Sequence, residues 1–322
     1  MKVAVTGGSG VVGRSVVRRL KHEGHEVTAL ARSVGSLQVL DGLGAAVVTG
    51  DLLDPHVLDR LVSGNEVVFH VAGVNELCLR DPTRMWRANV EGSVAVLDAC
   101  ERNRVRRLVH TSSAVTIGEE RGITADESTK HRGHFLSEYE RSKTVAERLV
   151  LDRAGKVEVV SVNPSSVQGP GRSSGTGAIL LAIARGTTPL LVDATISLVD
   201  IDDCARGHLL AAERGMSGER YILSGAVLDI RTGVEMINRL RGRKTRPRFV
   251  KPSVVRALAP IAAGVSRLTG REVPLCPESV RVLLAGHRYD GTRVTRELGL
   301  EYTDLGETLH RTLHWFEEEG LL

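Results

Sequence analysis

"VAVTGGSGVVG", residues 3–13, is the stretch that decides the fold of this chain. It places Gly7, Gly10 and Gly13 in a G-x-x-G-x-x-G frame, between a valine-rich apolar run and a segment of helical period. Glycine permits a tight turn and lets backbone N–H groups approach a pyrophosphate at the helix N-terminus. The stretch therefore predicts the first strand, turn and helix of a dinucleotide-binding βαβ unit.

The same alternation of apolar runs and helical segments continues to Pro164. It predicts strands at 2–6, 25–31, 45–49, 66–71, 106–111 and 157–162, and helices near 11–23, 54–63, 83–103 and 137–154. Valine runs flanked by helices are typical of a parallel sheet that is buried on both faces. We predict an α/β fold with a doubly wound parallel sheet of the Rossmann kind.

The pattern changes after Pro164, where residues 163–177 are rich in proline, glycine and serine. Beyond this loop we predict a helix near 178–185, strands near 196–201 and 220–223, and a last amphipathic helix near 306–319. We therefore expect a dinucleotide-binding domain over 1–164, to which the chain returns at about 196–225, and a smaller, mostly helical substrate-binding region over 165–322.

Composition restricts the location and the partners. Of the 322 residues, 42% are hydrophobic and 25% charged, and the net charge of +4 is spread without a basic run among aromatics. This favours a small anionic ligand and disfavours nucleic acid. The most apolar helical stretch, 257–266, is too short to cross a bilayer. We expect a cytoplasmic protein without a membrane span or a metal site, whose partner is a small molecule.

The four cysteines, Cys78, Cys100, Cys204 and Cys276, lie far apart and form no CxxC motif. In a cytoplasmic protein this spacing favours reduced thiols with a structural role.

The second strand bears on the choice of dinucleotide. NAD enzymes of this fold usually hold the ribose 2′-hydroxyl with an acidic residue at the end of that strand. Glu26 opens the strand and lies at the wrong end, whereas Arg32 and Ser33 follow it at the correct end. A guanidinium binds a 2′-phosphate well, so NADP(H) is favoured and NAD(H) is the alternative. Asp51 and Leu52 end the third strand, where the adenine would lie.

"SEYERSK", residues 137–143, places Tyr139 and Lys143 on one helical face. A nearby ammonium favours the phenolate, so this pair suits proton transfer to or from a carbonyl oxygen. Ser112 and Ser113 end the fifth strand at the same edge of the sheet, where a hydroxyl can hold that oxygen.

With these motifs the chain resembles the extended short-chain dehydrogenase/reductase superfamily, also called the NAD-dependent epimerase/dehydratase superfamily. The resemblance rests on "TGGSGVVG", "GDLLD", "FHVAG", "NVEGSVAVLDAC", "TSSAVTIG", "YERSK", "NPSSVQGPG" and "LVDIDDCARGHLLA". Within it, the chain is most similar to the dihydroflavonol-4-reductase-like branch, which includes bacterial hopanoid-associated sugar epimerases. The loops at 74–88 and 119–136 show no flavonoid-like pattern, so the name of the branch does not identify the substrate.

The resemblance implies a catalytic set of Ser113, Tyr139, Lys143 and Asn89, in which Lys143 also holds the nicotinamide ribose. It places Asn163 and Pro164 at the border of the nicotinamide. Ala72 and Gly73 end the fourth predicted strand with small residues, at the edge where the cofactor backbone would pass. Tyr139 and Lys143 thus belong to both sets, and the cofactor is expected to contact further residues of these motifs, namely Ser9, Val11, Val12, Val71, Thr111 and Ser166.

Three functions remain open at this stage. The first is an NADP(H)-dependent oxidoreductase that reduces a ketone or oxidises a secondary alcohol. The second is a nucleotide-sugar epimerase or dehydratase with tightly bound NAD, for which Arg246, Arg248 and Arg281 are candidate diphosphate ligands. The third is a non-catalytic dinucleotide-sensing regulator. The last helices are candidates for pairing two copies into a homodimer.

Overall fold

The computed structural model describes residues 1–188, 190–269 and 276–322. Its strands are β1 (Lys2–Thr6), β2 (Glu26–Ala31), β3 (Ala46–Thr49), β4 (Val67–His70), β5 (Arg107–Thr111), β6 (Thr124–Ala125), β7 (Glu158–Pro164), β8 (Ser166–Gln168), β9 (Leu190–Val192), β10 (Thr195–Asp200), β11 (Arg220–Leu223), β12 (Ala226–Asp229), β13 (Arg248–Val250) and β14 (Arg288–Tyr289). Its helices are α1 (Val11–His22), α2 (Val34–Gly42), α3 (Pro55–Val62), α4 (Thr83–Trp86), α5 (Gly92–Arg102), α6 (Glu138–Leu151), α7 (Thr176–Arg185), α8 (Ile201–Arg214), α9 (Ile230–Leu240), α10 (Pro252–Thr269), α11 (Pro277–Ala285), α12 (Thr292–Leu298) and α13 (Leu305–Glu318).

The central sheet has seven parallel strands in the order β11-β7-β5-β4-β1-β2-β3. The strand order reverses at β1, which lies between β2 and β4. In open sheets of this kind a crevice forms at that point, outside the carboxyl ends of the strands. The glycine turn after β1 therefore opens into the crevice, and the predicted Rossmann fold is confirmed.

Side chains on alternate strand positions pack into two separate apolar cores, as the two-residue period of a strand requires. Val3 and Val5 of β1 pack on one face with Leu20 of α1, in the core that also contains residues of α8. Ala4 packs on the other face, with residues of α3 and α5. Because both faces are covered by helices, the valine runs are buried, and the polar groups left for chemistry lie at the ends of the strands.

Most of the predicted elements are present. The six strands predicted for the first half occur within a few residues of their expected bounds. The same holds for five of the predicted helices, which correspond to α1, α3, α6, α7 and α13. The segment predicted as one helix over 83–103 consists of α4, a π-helical turn over Arg87–Glu91, and α5. Helix α2 was not predicted, because its sequence has weak helical periodicity. It begins instead with a capping box between Ser33 and Ser36.

The apolar stretch 257–266 lies within α10, which contains Pro260. None of the helices in the described ranges is long and apolar enough to cross a membrane.

The glycine turn is packed too tightly for side chains at two positions. Gly7 has a φ of +72°, and a Cβ placed on it would lie 2.4 Å from the backbone nitrogen of Ala72. A Cβ on Gly13 would lie 2.1 Å from the carbonyl oxygen of Gly7. The glycine turn therefore contacts helix α1 and the end of β4 through backbone atoms, at distances that only glycine allows.

We expect Gly13→Ala to lower the free energy of unfolding by at least about 2 kcal/mol, because the added methyl group forces backbone apart. The cofactor is also expected to lose its stabilising effect on the folded protein. Gly35→Ala is the matched control, since a Cβ on this glycine of α2 meets nothing within 4 Å. Chemical denaturation with and without dinucleotide measures both effects, and equal stability of the two variants would contradict the account.

Two of the four cysteines are not the reduced thiols expected from the sequence. Cys78 and Cys276 form a disulfide with a Cα–Cα distance of 6.0 Å across a separation of 198 residues, whereas Cys100 and Cys204 are buried free thiols as predicted. Because the two cysteines lie so far apart along the chain, the sequence contains no local motif that indicates their pairing. The disulfide joins the loop after β4 to the start of α11. The Glu278 carboxylate reinforces this junction by accepting from the backbone N–H groups of Cys78, at 2.5 Å, and of Glu138, at 2.8 Å.

We expect reduction of this disulfide to lower the melting temperature by about 5 °C, because the cross-link restricts the unfolded chain. The double variant Cys78→Ser/Cys276→Ser is expected to melt at the temperature of the reduced protein and to be insensitive to reductant. Thiol titration of the denatured, unreduced protein is expected to find two thiols, Cys100 and Cys204. Finding four thiols would contradict the disulfide.

Candidate active site

Tyr139, the tyrosine predicted to transfer the proton, lies in the first turn of α6. Ser137 caps this helix by accepting a hydrogen bond from the backbone N–H of Glu140, at 3.1 Å, and Glu138 and Glu140 place negative charge at the positive end of the helix dipole. The Ser113 side chain, just beyond β5, lies close enough to the Tyr139 hydroxyl to act, by hydrogen bonding, towards a lower pKa of Tyr139. The structure thus brings together the serine and the tyrosine predicted from separate motifs.

Lys143 lies one turn further along α6, with only 4% of its surface exposed. Its Nζ donates a hydrogen bond of 2.6 Å to the carbonyl oxygen of Thr111. Burial lowers the pKa of Lys143 to about 8, and the nearby Glu147 carboxylate opposes that effect. The lysine therefore remains largely protonated at neutral pH, but its charge is held in a site that disfavours it.

The expected effect of Lys143 on the acidity of Tyr139 is not observed. Burial raises the pKa of Tyr139, and this effect exceeds the lowering by the Ser113 hydrogen bond and by the charge of Arg172. Desolvation of the phenolate is the larger effect in this protein, and the sequence shows only the nearby ammonium. Tyr139 therefore holds its proton at neutral pH, as a general acid must.

Asn89 lies in the π-helical turn between α4 and α5. Its amide accepts from the backbone N–H of Val74 at 2.7 Å, and donates to the Val74 carbonyl at 3.0 Å and to the Ser142 hydroxyl at 2.9 Å. These contacts attach the loop after β4 to the residue next to Lys143. They give Asn89 a positioning role in the predicted catalytic set.

A buried polar network behind Ser113 was not predicted from the sequence. Glu147 accepts hydrogen bonds from Thr116 and Ser161, both at 3.2 Å, and from Asn163 and Arg220. Glu147 follows Tyr139 and Lys143 at a further interval of four residues, so the helical period carried a signal for it.

Asn163 is wholly buried in this network. Its amide nitrogen donates to the carbonyl oxygen of Ser113, at 3.3 Å, and to the hydroxyl of Thr116, at 3.0 Å. The side chain of Asn163 thus fixes the segment that carries Ser113. Only the backbone of Asn163 remains available for the expected nicotinamide border.

Three buried histidines support the same edge. His70 hydrogen-bonds with the Thr6 hydroxyl at 2.7 Å and stacks on His110, and His208 hydrogen-bonds with the Thr111 hydroxyl at 2.9 Å. Burial lowers the pKa of His70 to about 3 and that of His208 to about 4. Both rings are neutral at physiological pH, so they position the strand ends and carry no charge.

The residues predicted for the cofactor lie along the carboxyl edge of β1–β5 and β7. Helix α1 follows Gly10, its N-cap residue, without a side-chain cap, so its first N–H groups are available to a pyrophosphate. The buried hydroxyls of Ser112 and Ser165 have no hydrogen-bond partner among the described residues. These features fit a dinucleotide laid across the crevice.

Arg32 and Ser33, the two residues that follow β2, have different roles. Ser33 caps α2, whereas the Arg32 side chain is exposed and makes no hydrogen bond or ion pair with the residues that the structure describes. Glu26 opens β2 and lies 4.0 Å from Lys2, at the opposite end of the sheet as predicted. One Asp51 oxygen accepts from the backbone N–H of Leu53 at 2.8 Å.

The three arginines considered for a sugar diphosphate do not line a common pocket. Arg281 lines a cavity of about 390 Å³ between α10, α11 and the loop before α6, together with Arg121, Arg132 and Arg256. Arg246 and Arg248 are exposed near β13 and do not line this cavity.

Comparison with known proteins gives consistent matches over the chain. The family model described as "NAD dependent epimerase/dehydratase family" matches residues 3–224. A Synechocystis protein named provisionally as a dihydroflavonol 4-reductase is 31% identical, covering 98% of this chain and 94% of its own. A Stigmatella aurantiaca 4-hydroxy-2-methyl-3-oxo-4-farnesyl-3,4-dihydroquinoline-1-oxide ketoreductase is 31% identical, covering 94% and 95%. The crystal structure of a Pseudomonas aeruginosa nucleoside-diphosphate-sugar epimerase is 26% identical, with a TM-score of 0.81 and coverage of 100% and 99%.

Proposed function

Since the chain belongs to the NAD dependent epimerase/dehydratase family, we propose that it is an NADP(H)-dependent oxidoreductase that interconverts a ketone and a secondary alcohol. The relatives named for dihydroflavonol and ketone reduction place it in the dihydroflavonol-4-reductase-like branch predicted from the motifs. The observation that supports a catalytic role most directly is the buried Lys143, which lies one turn after Tyr139 and donates a 2.6 Å hydrogen bond to the Thr111 carbonyl oxygen at the end of β5.

The proposed mechanism follows from the side chains at the edge. The Ser113 hydroxyl donates to the carbonyl oxygen of the substrate and fixes its position beside Tyr139. Tyr139 gives its proton to that oxygen as negative charge develops there. Lys143 would hold the ribose of the coenzyme and offset the charge left on the phenol. Bound NADPH would supply the hydride to the carbonyl carbon, so that a ketone, a hydride and a proton give one secondary alcohol.

The preference for NADP(H) is part of this proposal and is supported by Arg32. We expect Arg32→Ala to raise KM for NADPH by about 30-fold and to change KM for NADH by less than about 3-fold, because only the former carries the 2′-phosphate. Arg18→Ala, at an exposed position of α1, is the control. Equal effects of Arg32→Ala on both coenzymes would contradict the assignment.

The division of the chain is also proposed. Residues 1–164 and about 196–225 hold the coenzyme, and most of 165–322 recognises the substrate. The topology supports this division, because β11 joins the central sheet whereas β9, β13 and the last helices lie outside it.

The test of the function is net oxidation of NADPH and NADH by a panel of ketones, followed by isolation of the alcohol. A second candidate, a nucleotide-sugar epimerase, is favoured by the Pseudomonas aeruginosa likeness. Such an enzyme would purify with tightly bound NAD and convert a sugar nucleotide without net change in the coenzyme. A sensing regulator would bind coenzyme and show neither activity.

A further inference from the structure

The loop between β8 and α7, residues 169–175, carries a positive charge that the proposed mechanism does not use. Arg172 is half-buried, and its Nε is enclosed by protein without a hydrogen-bond partner among the described residues. In that same part of the chain no carboxylate oxygen lies within 4.0 Å of its guanidinium. Because charges withdrawn from water are normally paired, this guanidinium is prepared to bind an anion.

Two glycines fix the direction of the guanidinium. Gly175 has a φ of +59°, and a Cβ on it would lie 3.0 Å from Nη2 of Arg172. A Cβ on Gly177 would lie 2.5 Å from the Arg172 carbonyl oxygen. The hydroxyls of Thr176 and Ser166, 2.6 Å apart, anchor the loop to β8. Arg172 is thereby held at the N-terminus of α7, where the helix dipole adds positive potential.

The charge of Arg172 also acts on the catalytic phenol. Burial raises the pKa of Tyr139, and the Ser113 hydrogen bond and the Arg172 charge oppose this effect. Reciprocally, burial lowers the pKa of Arg172 and Tyr139 opposes it. Arg172 and Ser113 therefore both act on this phenol, and the loop that carries Arg172 follows β7 and β8, where the end of β7 pairs with the end of β5 that precedes Ser113.

We propose that Arg172 binds a carboxylate of the substrate, and that the substrates are oxo acids whose carboxylate lies a few bonds from the carbonyl carbon. The proposal rests on the reductase function above and deepens it. The planar guanidinium fork matches a carboxylate in two parallel hydrogen bonds. Arg172 thus orients the carbonyl group towards Ser113 and Tyr139, and selects acids over neutral ketones of the same shape.

The probes are 3-oxooctanoate and its methyl ester, which differ in the carboxylate charge. With NADP⁺ bound, the acid is expected to raise the melting temperature of the wild type and not that of Arg172→Met, which keeps the length of the side chain without its charge. The ester is expected to change the melting temperature of the wild type and of Arg172→Met by the same amount. The proposal would be overturned if neither probe, or both probes equally, raised the melting temperature of the wild type. This test does not require that the enzyme reduce either probe.

Kinetics provides a second readout. In Arg172→Met, kcat/KM is expected to fall about 30-fold for the acid and less than about 3-fold for the ester, with Arg172→Lys intermediate. Equal losses for both probes, with a shifted pH profile, would show that Arg172 acts on Tyr139 alone and would refute the carboxylate. If the wild type reduces the ester and the acid equally well, the carboxylate proposal is refuted and the proposed reductase function stands. No net coenzyme oxidation by any ketone refutes the proposed function itself.

Discussion

Replacing Tyr139 with phenylalanine is expected to lower kcat for ketone reduction about 1,000-fold, within the range that general acid catalysis supplies. The variant loses a single oxygen from a half-buried side chain, so we expect the fold to be retained. In the proposed mechanism the Tyr139 hydroxyl is the proton donor, and phenylalanine has no proton to give. Coenzyme affinity is expected to change by less than about 3-fold, because Lys143 remains in place. Stopped-flow coenzyme oxidation and a separate binding titration measure the two quantities.

Tyr221→Phe is the matched control for this experiment. It removes the same atom from a wholly buried tyrosine of β11, whose hydroxyl accepts a hydrogen bond from the backbone N–H of Met216 at 3.2 Å. The control is expected to lose some stability and to keep its kcat. Full turnover by Tyr139→Phe would remove the phenol from the mechanism. A comparable loss of kcat in both variants would show that the effect arises from altered packing and not from the missing proton.

Lys143→Met is expected to abolish measurable reduction and, at the same time, to stabilise the folded protein by about 1–3 kcal/mol at pH 7. In the proposed mechanism the activity falls because the ammonium that would hold the ribose of the coenzyme is removed. The stability rises because the folded protein no longer buries an ammonium, whose pKa is lowered to about 8 by desolvation. Lys143→Arg keeps the charge and serves as the control, with low activity and no gain in stability.

The pH dependence of stability gives an independent check on Lys143. Its pKa is about 8 in the folded protein, below the value of 10.5 expected for the unfolded chain. Between these two values the unfolded chain binds more protons, so the stability of the wild type rises with pH in this window. The advantage of Lys143→Met is therefore expected to shrink from pH 8 to pH 10.5 in urea denaturation. A constant difference between the two proteins would show that Lys143 is not desolvated.

The fold was predictable because its main signals are local. The glycine turn, the valine runs and the helical periods each specify an element without reference to the rest of the chain. Alternation of strands and helices then leaves few topologies. Helix α2 was missed since it depends on a capping box between Ser33 and Ser36 more than on periodicity.

The candidate site was predictable to the extent that its residues share the carboxyl edge of one sheet. Tyr139, Lys143 and Ser113 could be assigned from their motifs. The environment of these residues could not, because it depends on contacts between distant segments. Desolvation of Tyr139 is one example, and the effect of the Arg172 charge on its pKa is another. The Cys78–Cys276 disulfide depends on the return of α11 to the loop after β4.

The measurement that tests the central claim most directly follows the hydrogen itself. A ketone that the wild type accepts is reduced with NADPH carrying deuterium at C4 of the nicotinamide, and the alcohol is analysed by mass spectrometry. The predicted result is one deuterium on the carbinol carbon of each product molecule, and almost no labelled product from Tyr139→Phe. A product without deuterium, or a substrate epimerised while the labelled coenzyme stays unchanged, would contradict it.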